Sequence, residues 1–556
     1  MSERPKLVLW QTENRMHDFP SPVAQGAPER GYMKVQNPVL CGFNPDPSLL
    51  RVGEDYYIAT STFEWFPGVC IHHSKDLVNW EIADYALKDD TVLDMTGLDG
   101  ACGIWAPNLT WSNGKFYLAY TIVYTNRSRH KDTWNYVITA PSVHGPWSKP
   151  VLLNKSGFDP SVFHDDDGRK YFVNMTLDYR DGTERFSGID VQEFDEEKGC
   201  LIGEPVRVFK GTGRGTTEGP NIFKKDGWYY LCCAEGGTEF GHCAVIVRSK
   251  SVWGPYEDNP NNPVLTSADN ADCRLKRAGH AQIVDSPDGT QWYMAHLCSR
   301  PLQDCSILGR ETAIQNVVWT DDGWVRLRDS DCAAPSDTFE VPYDVEIASK
   351  APVRTDFSKL TDIPLEYMTL RRSAGRQGVR IEDGVLRLTG GNSLYSKYNQ
   401  AFLARKQQAF DVDFVTAMKF EPRHLNHIAG VQAYYNYDNY FNLRMTRDEQ
   451  GKVLDVATLV NGALSDSEWV HIPEETEIVY LKLEIRHEEI RFYYSLDNAQ
   501  WQQIGPVGDM KNISDEHVEG NGFTGSFVGV SCQDIQGDGV TADFLWIDYQ
   551  EYPSED

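Results

Sequence analysis

One short pattern recurs five times along the first part of this chain: a head residue beside proline or alanine, an apolar stretch, a glycine turn, then an aromatic-rich strand. The copies begin at Asp46-Pro-Ser-Leu, Ala106-Pro-Asn-Leu, Asp159-Pro-Ser-Val, Glu218-Gly-Pro-Asn-Ile and His280-Ala-Gln-Ile. They run on into Gly53-Glu-Asp-Tyr-Tyr-Ile, Gly114-Lys-Phe-Tyr-Leu, Gly168-Arg-Lys-Tyr-Phe, Gly227-Trp-Tyr-Tyr-Leu and Gly289-Thr-Gln-Trp-Tyr-Met. A period of roughly 50 to 60 residues built from short strands marks a radial β-array in which each unit is one blade. Five copies predict a five-bladed β-propeller. Equivalent heads converge at one end of the central axis, so Asp46, Asp159 and Glu218 are expected to share a pocket.

The 556 residues exceed what one core usually supports, and two domains are expected. Residues 1–33, rich in Pro and polar side chains, read as an extended arm, 34–335 as the propeller, and 336–356, with Pro342 and Pro352, as a connector. Residues 357–556 read as a second all-β domain. Its segments Gly384-Val-Leu-Arg-Leu, Phe414-Val-Thr-Ala-Met-Lys-Phe and Val479-Tyr-Leu-Lys-Leu-Glu-Ile alternate as the two faces of a sandwich sheet do.

With 53 Lys plus Arg against 81 Asp plus Glu, the formal net charge is -28. That disfavours nucleic acid and anionic membranes as partners. No signal-like apolar region follows the N-terminal charges and no apolar run approaches a membrane span, so a cytoplasmic, non-membrane protein is expected. The 12 cysteines lack Cys-x-x-Cys spacing, and neither zinc nor a redox pair is indicated.

A carboxylate followed by proline sits on a stiff backbone, because proline fixes its own φ and restricts the residue before it to extended conformations. The glycines of Lys210-Gly-Thr-Gly-Arg-Gly-Thr-Thr let the chain turn tightly ahead of Glu218. Two carboxylates facing one bond are what glycoside hydrolysis requires, and a third nearby raises the pKa of the acid.

Asn44-Pro-Asp-Pro-Ser, Gly103-Ile-Trp-Ala-Pro, Gly157-Phe-Asp-Pro-Ser, Thr217-Glu-Gly-Pro, Gly279-His-Ala and Leu308-Gly-Arg-Glu-Thr, in this order, resemble family 43 of the glycoside hydrolases, most closely its two-domain β-xylosidases. The resemblance implies a concanavalin-like β-sandwich behind the propeller and an inverting mechanism, with Asp46 as general base, Glu218 as general acid and Asp159 tuning that acid. It implies that Arg310 holds hydroxyls of the terminal sugar, that Trp105 and Phe63 wall the pocket, and that Phe523 reaches across from the second domain to cap it. His280, heading the fifth copy, points near the axis and holds water there. In some relatives a calcium ion occupies that channel, so His280 is also a candidate metal neighbour, with no cofactor otherwise required. The implied substrate is a xylo-oligosaccharide cut from its non-reducing end, and a homo-oligomer is the expected assembly. Two other readings stay open: a mainly α-L-arabinofuranosidase activity, and a non-catalytic glycan-binding protein, since fold alone does not fix function.

Overall fold

The computed structural model describes residues 31–126, 129–330, 332–342, 345–348, 353–520 and 522–553, so residues 1–30 of the expected arm lie outside the described residues. Each sequence repeat is one antiparallel sheet. The five blades start with the strands Ser48–Val52, Gly103–Ser112, Ser161–His164, Thr217–Lys225 and Lys276–Asp285 and proceed outward from there. The turn glycines 53, 114, 168, 227 and 289 all have left-handed φ between 62° and 87°, which explains their recurrence in the sequence. Beyond each turn, Tyr56, Tyr117, Tyr171, Tyr230 and Tyr293 are buried in the second strand of their blade. One aromatic ring per repeat thus fills the wedge between neighbouring blades.

The array is tied shut at its ends. Met33–Gln36 pairs antiparallel with Thr338–Val341, and Asn37 Nδ2 donates to the carbonyl of Ile314 in blade five at 2.7 Å. The stretch read as a connector therefore carries strands. A second one, Arg354–Asp356, pairs with Thr541–Tyr552 of the following domain.

The C-terminal domain is a sandwich of an eight-stranded sheet and a second sheet to which it contributes eight of nine strands. Val479–Arg486 shows strict alternation of buried and half-buried residues, and its inward Leu481 and Leu483 pack with Phe414, Phe492, Val431 and Val530. Among the described residues the only helical pieces are three short 3-10 turns.

The two domains are fused through a shared sheet and core. Trp65–Phe66, from a loop of blade one, pairs antiparallel with Tyr367–Leu370 at the end of the nine-stranded sheet. The Trp65 ring stacks on Phe527 with centroids 3.7 Å apart, and one apolar cluster contains Phe43 and Phe63 of the propeller together with Leu370, Phe402 and Phe527 of the sandwich. Burying apolar surface at about 25 cal/mol per Å² makes such a joint stiff. The sandwich consequently forms one wall of the propeller mouth.

Candidate active site

The repeat heads share a backbone conformation. Asp46, Ala106, Asp159 and His280 have φ of 55°, 34°, 53° and 50°, and the fourth copy places Gly219, not Glu218, in this series with φ 56°. Glu218 is thus one residue out of line with the other carboxylates and equivalent to Trp105. The pre-proline restriction expected to hold these heads extended is overridden. The ladders skip residues between Trp105 and Asn108, between Glu218 and Asn221, and between Gly279 and Gln282, and a left-handed residue opens such a bulge. Asp adopts this conformation more readily than most residues and glycine most readily of all. At Gly219 there is a second reason for glycine, since a Cβ would lie 2.9 Å from the His280 ring.

The left-handed heads bring three carboxylates into one pocket, where Asp46, Asp159 and Glu218 are 5%, 6% and 8% exposed. Asp46 accepts Arg310 Nη1 at 2.8 Å and the Ser61 hydroxyl at 2.6 Å. Burial opposes its ionisation, but Arg310, His280 and Ser61 outweigh that and hold its carboxyl below the usual range. Glu218 moves the other way, pushed up to about 7 by burial and then by Asp46, with Arg310 and Lys131 partly offsetting the rise. Asp159 is raised well above the usual range by burial, by Glu218 and by Asp46, against the Gly219 N–H that it accepts at 2.9 Å. Glu218 is itself among the groups that raise Asp159, so the two carboxylates titrate as a pair. The pair retains a proton at neutral pH while Asp46 is ionised.

Arg310 directs Nη1 to Asp46 and Nη2 to the carbonyl of Phe523 at 3.0 Å. Its buried Nε has no hydrogen-bond partner among the described residues. Around it stands an aromatic box. Trp105 lies 5.6 Å from Phe63, 5.5 Å from Phe158 and 5.6 Å from Phe523, and the Arg310 guanidinium sits 5.3 Å and 5.6 Å from the Phe63 and Phe523 ring centroids. Of Phe63-Glu-Trp-Phe-Pro only Phe63 faces this box, as Trp65 belongs to the interdomain core.

Phe523 is held from behind. Arg277 in blade five donates to Asp515 at 2.9 Å and to Glu516, Glu516 accepts the Ser306 N–H at 2.6 Å, and Tyr435 joins Asp515 to the N–H of Thr524.

His280 and His242 are both buried, and burial lowers the pKa of each, that of His242 to about 3. His242 Nδ1 meets the Arg277 carbonyl at 3.0 Å, and its Nε2 has no hydrogen-bond partner among the described residues. Calcium takes six to eight oxygen ligands. The groups at hand here are imidazole nitrogens, and among the described residues no group of three His, Cys, Asp or Glu is arranged to hold a metal. The residues do not fit a protein-caged calcium ion.

Sequence reading missed Ser61, Gly219, His242 and Lys131. Lys131 lies on a loop of blade two, its ammonium 5.3 Å from the Trp105 ring and bonded to Asn126, with its pKa lowered to about 8 by burial and by Arg185. A lone lysine in a loop carries no sequence signal of this placement.

Residues 35–325 match the family described as glycosyl hydrolases family 43, and residues 354–550 match the beta xylosidase C-terminal concanavalin A-like domain. The chain is 44% identical over 516 residues to xylosidase/arabinosidase 43B of Humicola insolens, covering 89% of this chain and 94% of that protein. It is 42% identical over 514 residues to a xylan 1,3-beta-xylosidase of a Vibrio species, covering 89% and 95%. In three dimensions it is similar to the crystal structure of xylan beta-1,4-xylosidase from Bacillus halodurans, with a TM-score of 0.91, 44% identity and coverage of 93% of this chain and 100% of that one.

Proposed function

The chain belongs to family 43 of the glycosyl hydrolases, and on that premise we propose that it releases xylose from the non-reducing ends of short β-1,4-xylo-oligosaccharides with inversion at the anomeric carbon. The observation that carries this reading is the split in protonation within one pocket. Asp46 is held ionised by Arg310 and Ser61, while Glu218 is held protonated up to about 7. Asp46 takes a proton from a water as its oxygen bonds to the anomeric carbon. The bond to the leaving sugar breaks as Glu218 delivers its proton to the leaving oxygen. Asp46 ends protonated and Glu218 ionised, and exchange with solvent restores both. Asp159 keeps Glu218 in place through Gly219 and resists loss of the pair's proton. Arg310 binds the terminal sugar, and Phe63, Trp105 and Phe523 limit the pocket's depth, which favours removal of one unit at a time.

Proton NMR of xylobiose turnover tests this directly. α-Xylose appearing before mutarotation is expected, whereas β-xylose appearing first overturns inversion. A second reading, mainly α-L-arabinofuranosidase, is favoured by the name of the Humicola insolens relative and is separated by paired aryl xyloside and aryl arabinofuranoside assays. The Vibrio relative's name makes β-1,3-xylobiose the control for linkage. The proposal extends to a cytoplasmic homo-oligomer, tested by cell fractionation and by sedimentation.

A further inference from the structure

A cavity of about 690 Å³, walled by both domains, lies next to the aromatic box, with Lys131 lining it 5.3 Å from the Trp105 ring. Lys131 and Arg185 contribute from the propeller, and Tyr395, Asn461 and Glu519 from the sandwich. None of the three carboxylates lines it. Lys131 is the link, because it lies against Trp105 on one side and its charge acts on Glu218. Glu218 protonates the leaving oxygen in the mechanism above, so the space reached past Glu218 and Lys131 is where the departing part of the substrate extends. The volume falls within the roughly 300–1,000 Å³ of small-molecule sites, more than a single pentose fills.

Tyr395 stands out on this wall. The residue is 52% exposed, yet its ring is braced edge-on by Tyr437 at 6.0 Å and 87°, with its hydroxyl above Gly462. Behind it the wall is preformed. Asn461 donates from Nδ2 to the His517 carbonyl at 3.2 Å and accepts the Glu519 N–H at 2.9 Å, locking two sandwich loops together. A large ring fixed in place and half in water at the rim of a ligand cavity offers an apolar face with a polar tip.

We propose that Tyr395 is the platform of a second subsite on the leaving-group side, which binds the xylosyl unit one beyond the unit bonded to the scissile oxygen. The ligand class is a neutral β-linked xylo-oligosaccharide of three or more units, and the proposal rests on the xylosidase reading given above. The sandwich domain then contributes chain-length preference as well as the Phe523 cap.

The test compares kcat/KM for an aryl xyloside, xylobiose and xylotriose in wild type, Tyr395→Ala and Tyr395→Phe. Wild type is expected to favour xylotriose over xylobiose. Tyr395→Ala should lose about fivefold on xylotriose, mainly through KM, as the loss of one stacking contact implies, while the two shorter substrates stay within about twofold. Tyr395→Phe should keep the preference, since the ring face is retained. Equal losses on all three substrates, or no loss on xylotriose, overturn the platform alone. Absence of any xyloside turnover by wild type overturns the xylosidase reading and the subsite with it.

Discussion

The carboxylate of Asp159 accepts the backbone N–H of Gly219, the residue after Glu218, at 2.9 Å. The bond runs from the head of blade three to the head of blade four and ties the position of one carboxylate to the backbone of another. It depends on the left-handed conformation that Gly219 shares with Asp159 itself. A substitution at Asp159 therefore acts on Glu218 in two ways, by charge and by placement, and the two are separable by pH.

Activity is expected to fall at low pH as Asp46 gains a proton and at high pH as Glu218 loses the one it holds up to about 7. Asp159→Asn removes the repulsion that keeps a proton on the pair. Glu218 then gives it up more readily, and the upper limb of the kcat/KM profile moves to lower pH by on the order of one unit. A lower plateau with an unmoved limb would leave Asp159 a placement role only.

An activated leaving group needs little protonation. Glu218→Ala should therefore lose far more activity on xylobiose than on an aryl xyloside bearing a good leaving group, with a difference in the range of about 10²–10⁴. Asp46→Ala should lose both, because water must still be activated. Equal losses on the two substrates in Glu218→Ala would reverse the acid and base assignments.

The blades were legible in the sequence because a left-handed turn leaves a glycine at a fixed place and a buried wedge leaves a tyrosine just after it, as at Gly168 and Tyr171. The sandwich was legible from alternation such as that of Val479–Arg486. The one-residue offset of Glu218 is written in the sequence too, since Gly219-Pro220-Asn221 aligns with Ala106-Pro107-Asn108, but aligning the repeats on their carboxylates hides it. Trp65 and Phe63 look alike in sequence, two residues apart, yet one stacks on Phe527 and the other packs in the aromatic box, a difference set by strand pairing with a domain some 300 residues away. Ser61 and Lys131 act through proximity alone, which no local pattern encodes.

Arg310 is both the counter-charge of Asp46 and the partner of the Phe523 carbonyl. Arg310→Met should raise the Asp46 pKa, so the lower limb of the pH profile moves to higher pH. It should also destabilise the fold by about 3–5 kcal/mol, the usual effect of stranding one member of a buried ion pair. The sign follows from Asp46, whose pKa is depressed in the folded state: its contribution is present above the unfolded carboxylate pKa and is lost as pH falls through the folded value. The deficit of Arg310→Met should accordingly shrink toward acid, as measured by denaturant unfolding at neutral and at low pH. A deficit that is the same at both would remove the ion pair as its cause.

Phe523 belongs to the sandwich in sequence and to the pocket in space. Phe527, four residues on, is fully buried against Trp65, whereas Phe523 is only partly buried and packs its ring beside Trp105, Phe63 and Arg310. Its loop is anchored independently of the ring by Asp515, Glu516 and Tyr435. Phe523→Ala is therefore expected to leave the thermal midpoint nearly unchanged while lowering kcat/KM on xylobiose by about tenfold or more, equivalent to about 1.4 kcal/mol of transition-state stabilisation. Truncating Phe527 in the same way should reverse the pattern, costing the roughly 3–5 kcal/mol of a core cavity with a smaller effect on turnover by the protein that remains folded. Measuring both variants by calorimetry and steady-state kinetics separates cap from core. A Phe523→Ala protein that is destabilised like a core variant yet kinetically normal when folded would mean that the propeller builds the site alone.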